Sequence, residues 1–168
     1  MNIAPILDAD GEPYFMWGGA GAWKTGSAHG WLWALEWVKI NNQVRRCLIV
    51  APESRVQFGN TRKTGAWCIS STALLEMFGV NENGKATGVF AWPKAEAEIK
   101  QGLAVMGREP TTADIRSLAD AILAVGMSVF YDMPAAPPAV KKTLASAPMW
   151  DIQKRAKSSG KILEERTI

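Results

Sequence analysis

Trp31-Leu-Trp-Ala-Leu-Glu-Trp-Val-Lys-Ile40 decides how the first third of the chain is read. Its apolar run fits either a strand or a helix. A strand places Trp37 and Lys39 on one face, mixing core with charge. A helix gathers Glu36, Lys39 and Gln43 on one stripe and leaves most other positions apolar, so the pattern predicts a helix that Asn41-Asn42 breaks.

Upstream, residues 18–30 hold five glycines in thirteen positions and read as a loop or a loop–helix junction. Before them, Asp8-Ala-Asp-Gly-Glu-Pro13 is a turn cluster, and Tyr14–Trp17 is a short apolar run that suits a strand. Downstream, Val44–Val50 ends in Cys47-Leu-Ile-Val50 and is closed by Ala51-Pro52, the pattern of a buried strand. The first fifty residues therefore predict a strand–helix–strand unit, which is normally right-handed with its two strands parallel.

Residues 52–66 read as an exposed, mobile connection, rich in polar residues and glycine. Ser70 or Ser71 suits the cap of a helix running through Phe78 and stopped by Gly79. Asn81–Gly88 is rich in turn residues and Val89–Trp92 reads as a brief strand. Pro93 fits the first turn of a helix in which Glu96 and Lys100 stand four apart. The clearest element is Thr111–Val125, where Ile115, Leu118, Ala119 and Ile122 recur at helical spacing between a Thr111 or Thr112 cap and Gly126. Met127–Tyr131 then reads as a compact strand ending at Asp132. The expected fold is a single compact α/β (or α+β) domain with a small mixed sheet. Residues 1–133 form its core, and residues 134–168 form a Pro-rich hinge and an ancillary basic helical tail anchored by Trp150.

A chain of 168 residues suits one domain, and 48% apolar with 21% charged residues is an ordinary globular composition. Eight tryptophans are not ordinary, and Trp17, Trp23, Trp31, Trp33 and Trp37 fall in the first quarter. Cys47 and Cys68 are too few for a disulfide framework, the N-terminus lacks the pattern of a signal peptide, and no apolar run is long enough for a membrane span. These features point to the cytoplasm, with free thiols and no membrane partner. The net charge of +3 is unevenly spread. Asp8, Asp10 and Glu12 stand without a base in residues 1–12, whereas Lys154, Arg155, Lys157 and Lys161 cluster near the C-terminus.

Gly18-Gly-Ala-Gly-Ala-Trp-Lys24-Thr25, then a predicted helix, then Val44-Arg-Arg-Cys-Leu-Ile-Val-Ala-Pro52, gives the order of a phosphate-binding loop. Glycines let backbone N–H groups wrap an anion, a Lys reaches the outer phosphates and a Ser/Thr holds Mg²⁺. Over residues 14–56 the chain resembles the phosphate loop and following strand of the Swi/Snf-like helicases found in many phages. The resemblance implies nucleotide binding by Gly19, Gly21, Lys24 and Thr25, with Asp132 after an apolar strand as a Mg²⁺ ligand. Trp23 stands where that pattern has glycine, and Met133 follows Asp132 where it has Glu.

Cys68 precedes the predicted helix, where the helix dipole lowers a thiol pKa, but a nucleophile also needs a base and His29 is the sole histidine. One histidine and two cysteines assemble no standard metal site. Asp8/Asp10 lie in a turn, and Glu96/Glu98 diverge on a helix surface, so neither pair reads as an acid–base couple.

The basic stretch Arg45, Arg46, Arg55, Arg62 and Lys63 lies beside Phe58 and Trp67 in sequence, a mixture that suits a phosphate backbone and stacked bases or an acidic protein surface. Ser70–Trp92 bears a faint helix-turn-helix pattern, weakened by Asn83-Gly84 and Gly88 in the second helix. Each catalytic pattern lacks a part that its chemistry needs. The sequence thus favours a non-enzymatic accessory protein of the kind small phage and plasmid chains supply, binding a protein or nucleoprotein partner as inhibitor, adaptor or assembly factor without a cofactor. A degenerate phosphate-loop protein and a nucleic-acid binder are the alternatives.

Overall fold

The structure, a computed structural model, describes residues 3–17, 22–40, 43–57, 59–79, 90–104 and 109–131. Among the described residues, five strands form one sheet: β1 (Ile3–Pro5), β2 (Ala22–Ala28), β3 (Trp31–Ile40), β4 (Gln43–Pro52) and β5 (Trp67–Ile69). Three described helices follow β5: α1 (Ser71–Met77), α2 (Trp92–Ala104) and α3 (Thr112–Tyr131). The protein is a compact mixture of helix and sheet, as its sequence predicts. The sheet order is β1-β5-β4-β3-β2 and every pairing is antiparallel, so the sheet is not mixed.

The stretch that decides the N-terminal topology is a strand, not a helix. β3 pairs with β4 from Trp31↔Pro52 to Ile40↔Gln43, a hairpin closing around two residues outside those described. The predicted strand–helix–strand unit with parallel strands is therefore replaced by a meander of β2, β3 and β4. The reason is that both faces of β3 are covered over residues 31–36. Trp31 and Leu35 are buried in the cluster beneath the helices, while Ala34 and Glu36 are buried toward the opposite face. Burial on two faces erases the polar/apolar alternation that marks a one-sided strand, and leaves an apolar run that also fits a helix. The β2–β3 connection is as tight as two residues allow. His29 (φ 49°) and Gly30 (φ 80°) both take positive φ between the paired residues Ala28 and Trp31, as a type I′ hairpin turn requires.

The helices cover one face of the sheet. Ile3, Leu35, Leu48, Val50 and Ile69 of the sheet meet Leu74 and Met77 of α1, Ile99 of α2, and Leu118 and Ile122 of α3 in one cluster. α1 begins as predicted, with the Ser70 Oγ accepting from the Ala73 N–H at 3.0 Å, and Gly79 (φ 64°) follows its C-cap. Thr111 and Asp114 form a reciprocal cap at the start of α3. The Thr111 Oγ1 accepts from the Asp114 N–H at 3.0 Å, and the Asp114 carboxylate accepts from the Thr111 N–H at 3.4 Å.

Gly126 (φ 75°, ψ 156°) interrupts α3, but the chain re-enters helix, so Met127–Tyr131 is helical and not a strand. A five-residue apolar run carries too little periodicity to tell the two apart. Likewise Trp92 opens α2, so no strand reaches it, and Pro93 sits in the first turn as expected. Glu96 turns to Arg116 of α3, which donates to it at 3.2 Å and lies 4.2 Å from the centre of the Trp92 ring.

The second face of the sheet is covered by chain without regular structure. Ala4, Ile6, Phe15, Cys47, Ile49, Ala51, Ala66 and Cys68 form its cluster, with Trp17 and Val56 packed on it. Tyr14–Trp17 is not a strand but an extended piece held by an isolated bridge, Met16↔Asn60, and by the Trp17 N–H donating to the Gly59 carbonyl. Residues 52–66 are likewise tied down: Glu53–Arg55 form a 3-10 turn, and Thr61, Thr64, Gly65 and Ala66 are buried. Residues 80–89 and 132–168, which include the predicted loop, hinge and tail, lie outside the described residues.

Candidate functional site

Two indoles attach the helices to the sheet and leave a pocket beside them. The Trp31 indole N–H donates to the Ser117 Oγ of α3 at 2.8 Å, and the Ser117 hydroxyl donates to the Asp114 carbonyl at 3.0 Å. The Trp67 indole N–H donates to the Gly102 carbonyl of α2 at 3.1 Å. The two rings meet edge to face, 6.3 Å between centroids. Both are 4% exposed, so each ring is fixed by packing and by a satisfied N–H. They supply apolar surface to the pocket but no free donor.

The pocket encloses about 380 Å³ and is lined from two sides. The sheet side brings His29 and Gly30 from the β2–β3 turn, Trp31, Pro52, Ser54, Arg55, Thr64 and Trp67. The helix side brings Leu103 from α2, Glu109 and Pro110 from the α2–α3 connection, and Thr111, Asp114 and Ser117 around the start of α3. Among the described residues, Arg55, His29 and Glu109 are in no ion pair, and all three are exposed. The volume falls at the small end of the range for ligand and anchor pockets, roughly 300–1,000 Å³.

Of the residues that the sequence nominated for phosphate, Lys24 and Thr25 stand on β2, opposite Leu35 and Ala34 of β3. Both are exposed, and adjacent residues of a strand point to opposite faces. The next element is β3, not a helix. The strand–loop–helix geometry that aims backbone N–H groups at an anion is not formed by residues 22–40, because that segment is a β-hairpin. Gly19, Gly21 and Asp132 lie outside the described residues.

The basic group falls on three different segments. Arg45 and Arg46 pair in the β3–β4 ladder with Val38 and Trp37. Arg55 sits on the 3-10 turn at the pocket, whereas Arg62 lies 5.0 Å from the centre of the Tyr14 ring and is exposed together with Lys63 on a turn. Trp67 is packed in the core and reaches solvent only at the pocket, so it does not stand with Arg62 and Lys63 on an open basic surface. Phe58 lies outside the described residues.

Cys68 is fully buried on β5 in the second-face cluster, while His29 is exposed at the hairpin turn; the fold does not bring them together as nucleophile and base. Among the described residues no group of three His, Cys, Asp or Glu side chains is placed to hold a metal ion. No described helix is long and apolar enough to cross a membrane. Sequence reasoning nominated Arg55 and Trp67 but missed the rest of the pocket, whose residues come from widely separated segments. The sole local signal was the His29-Gly30 pair, which closes a hairpin. No family model, curated protein or solved structure matches the chain.

Proposed function

We propose that the protein works by binding rather than catalysis, and that the pocket over Trp31 and Trp67 receives an anchor from a protein or nucleoprotein partner. The observation that carries this reading is the pocket itself: a concave, partly apolar site whose two indoles are immobilised before anything binds. Binding hot spots favour such preorganised apolar hollows with a polar rim, because little side-chain entropy remains to be lost on association. The roles open to such a protein are those of an inhibitor, adaptor or assembly factor.

Ser54 lines the pocket and is exposed on the 3-10 turn, so Ser54→Trp fills the hollow without disturbing the core. Quantitative affinity capture from the native host compares the parent protein with this variant and with Ser27→Trp, placed on the exposed side of β2. A partner held by the parent and by Ser27→Trp but lost by Ser54→Trp, at equal melting temperature, supports the pocket as the site. Equal capture by all three overturns it.

A further inference from the structure

We infer that the anchor is a peptide segment carrying an apolar, preferably aromatic, side chain flanked by one acidic and one basic residue. The inference rests on the reading of the pocket as a binding site, and charge placement takes it further. The groups able to carry positive charge, Arg55 and His29, both come from the sheet side, on the 3-10 turn after β4 and on the β2–β3 turn. The carboxylates, Glu109 and Asp114, both come from the helix side.

Opposite charges around one small cavity would ordinarily pair with each other. Here Arg55 and Glu109 take no ion pair among the described residues, while Asp114 spends a carboxylate oxygen on the Thr111 N–H. The pocket thus carries solvent-exposed charge of both signs on different walls, with Trp31 and Trp67 between them. An occupant complements it only by presenting an anion toward Arg55, a cation toward Glu109 and an apolar body over Trp31 and Trp67. Rim charges of this kind select the partner and its orientation more than they add affinity. The volume of about 380 Å³ has room for an aromatic side chain with its adjoining backbone, which favours a peptide over a lone ion.

The test titrates the purified protein with blocked pentapeptides while following the tryptophan indole N–H resonances. The probes are acetyl-Gly-Glu-Phe-Lys-Gly-amide, its reversed-charge form with Lys-Phe-Glu, the two single-charge forms in which one charged residue becomes Gln, the neutral Gln-Phe-Gln form, and free phenylalanine. An exposed ion pair contributes roughly two- to five-fold in affinity, so one of the doubly charged peptides should bind about ten-fold more tightly than the neutral one. Arg55→Gln should cancel the advantage of the acidic residue alone, and Glu109→Gln that of the basic residue alone. Equal binding of charged and neutral peptides, binding of none, or equally tight binding of free phenylalanine overturns the inference. Capture from the host separates this failure from that of the pocket itself. If Ser54→Trp abolishes capture while Arg55→Gln/Glu109→Gln keeps it, the pocket stands and the charge rule falls.

Discussion

The indole N–H of Trp67 donates to the carbonyl oxygen of Gly102 across 3.1 Å, joining β5 to the last turn of α2. Gly102 lies among the final residues of that helix, whose carbonyls have no partner within it. Its lack of a side chain lets α2 approach β1: a Cβ there would stand 2.5 Å from the Ile3 Cγ2. Gly102→Ala should therefore destabilise the fold. Overpacking costs about 1–3 kcal/mol against roughly 1 kcal/mol gained in helix propensity. Trp67→Phe keeps the apolar ring but leaves the acceptor buried, a loss of about 1–3 kcal/mol. Urea unfolding should show both midpoints lowered with the slope unchanged; an unchanged midpoint in either variant contradicts its part of the account.

Gly26 and Trp33 stand opposite one another on β2 and β3, and the Trp33 indole lies across the glycine. A Cβ at Gly26 would come within 2.7 Å of the ring. β2 is an edge strand, and the ring supplies cross-strand packing at a position where glycine has no side chain of its own. Gly26→Ala should push the ring aside, costing about 1–3 kcal/mol and shifting tryptophan emission to the red. Retained stability together with an unshifted spectrum would show that the ring yields freely.

Ser70 is fully buried and closes the N-terminus of α1 through its Oγ. Ser70→Ala should cost about 1–2 kcal/mol, and Ser70→Asn, which keeps a capping acceptor, should meet a different obstacle because its larger side chain has no room. Thermal unfolding of the Ala variant, and of Thr111→Ala at the solvent-exposed cap of α3, separates the two settings. The buried cap should lose more; equal losses would mean that burial adds nothing.

The caps, the α1 and α3 starts and the Asp8 turn were legible in sequence because each is a local arrangement. The Asp8 carboxylate accepts from the Asp10 and Glu12 N–H groups at 2.9 and 3.0 Å, within a span of five residues. The sheet was less legible. Whether Trp31–Ile40 is helix or strand depends on distant chain: the β4 strand that pairs along it, and Leu118 and Ile122 of α3, which share a cluster with Trp31 and Leu35. None of that is written near residue 31. The pocket was still less legible, because His29, Arg55, Thr64, Glu109 and Ser117 meet only after β4 returns along β3 and α3 lies across them. Trp67 illustrates the limit. Arg62 and Lys63 stand a few residues before it in sequence, its neighbours in space are Trp31 and Gly102, and the second set governs what it does.

Cys47 and Cys68 are both fully buried on the second face of the sheet, where Cys68 pairs with Ile49 on one side and Ala4 on the other. A thiol reagent reaches either sulfur only when the cover formed by Ile6, Phe15 and Trp17 opens. Labelling in native buffer should then be slower than that of a free thiol by orders of magnitude, set by the opening equilibrium. It should accelerate as urea is added, and both thiols should react together if the cover and the sheet open as one unit. Early reaction of one thiol, with the helices still intact by circular dichroism, would show that the irregular layer opens independently of the helical face. Fast labelling of Cys68 in native buffer would instead place its sulfur at the surface and contradict the packing of β5 against β1 and β4.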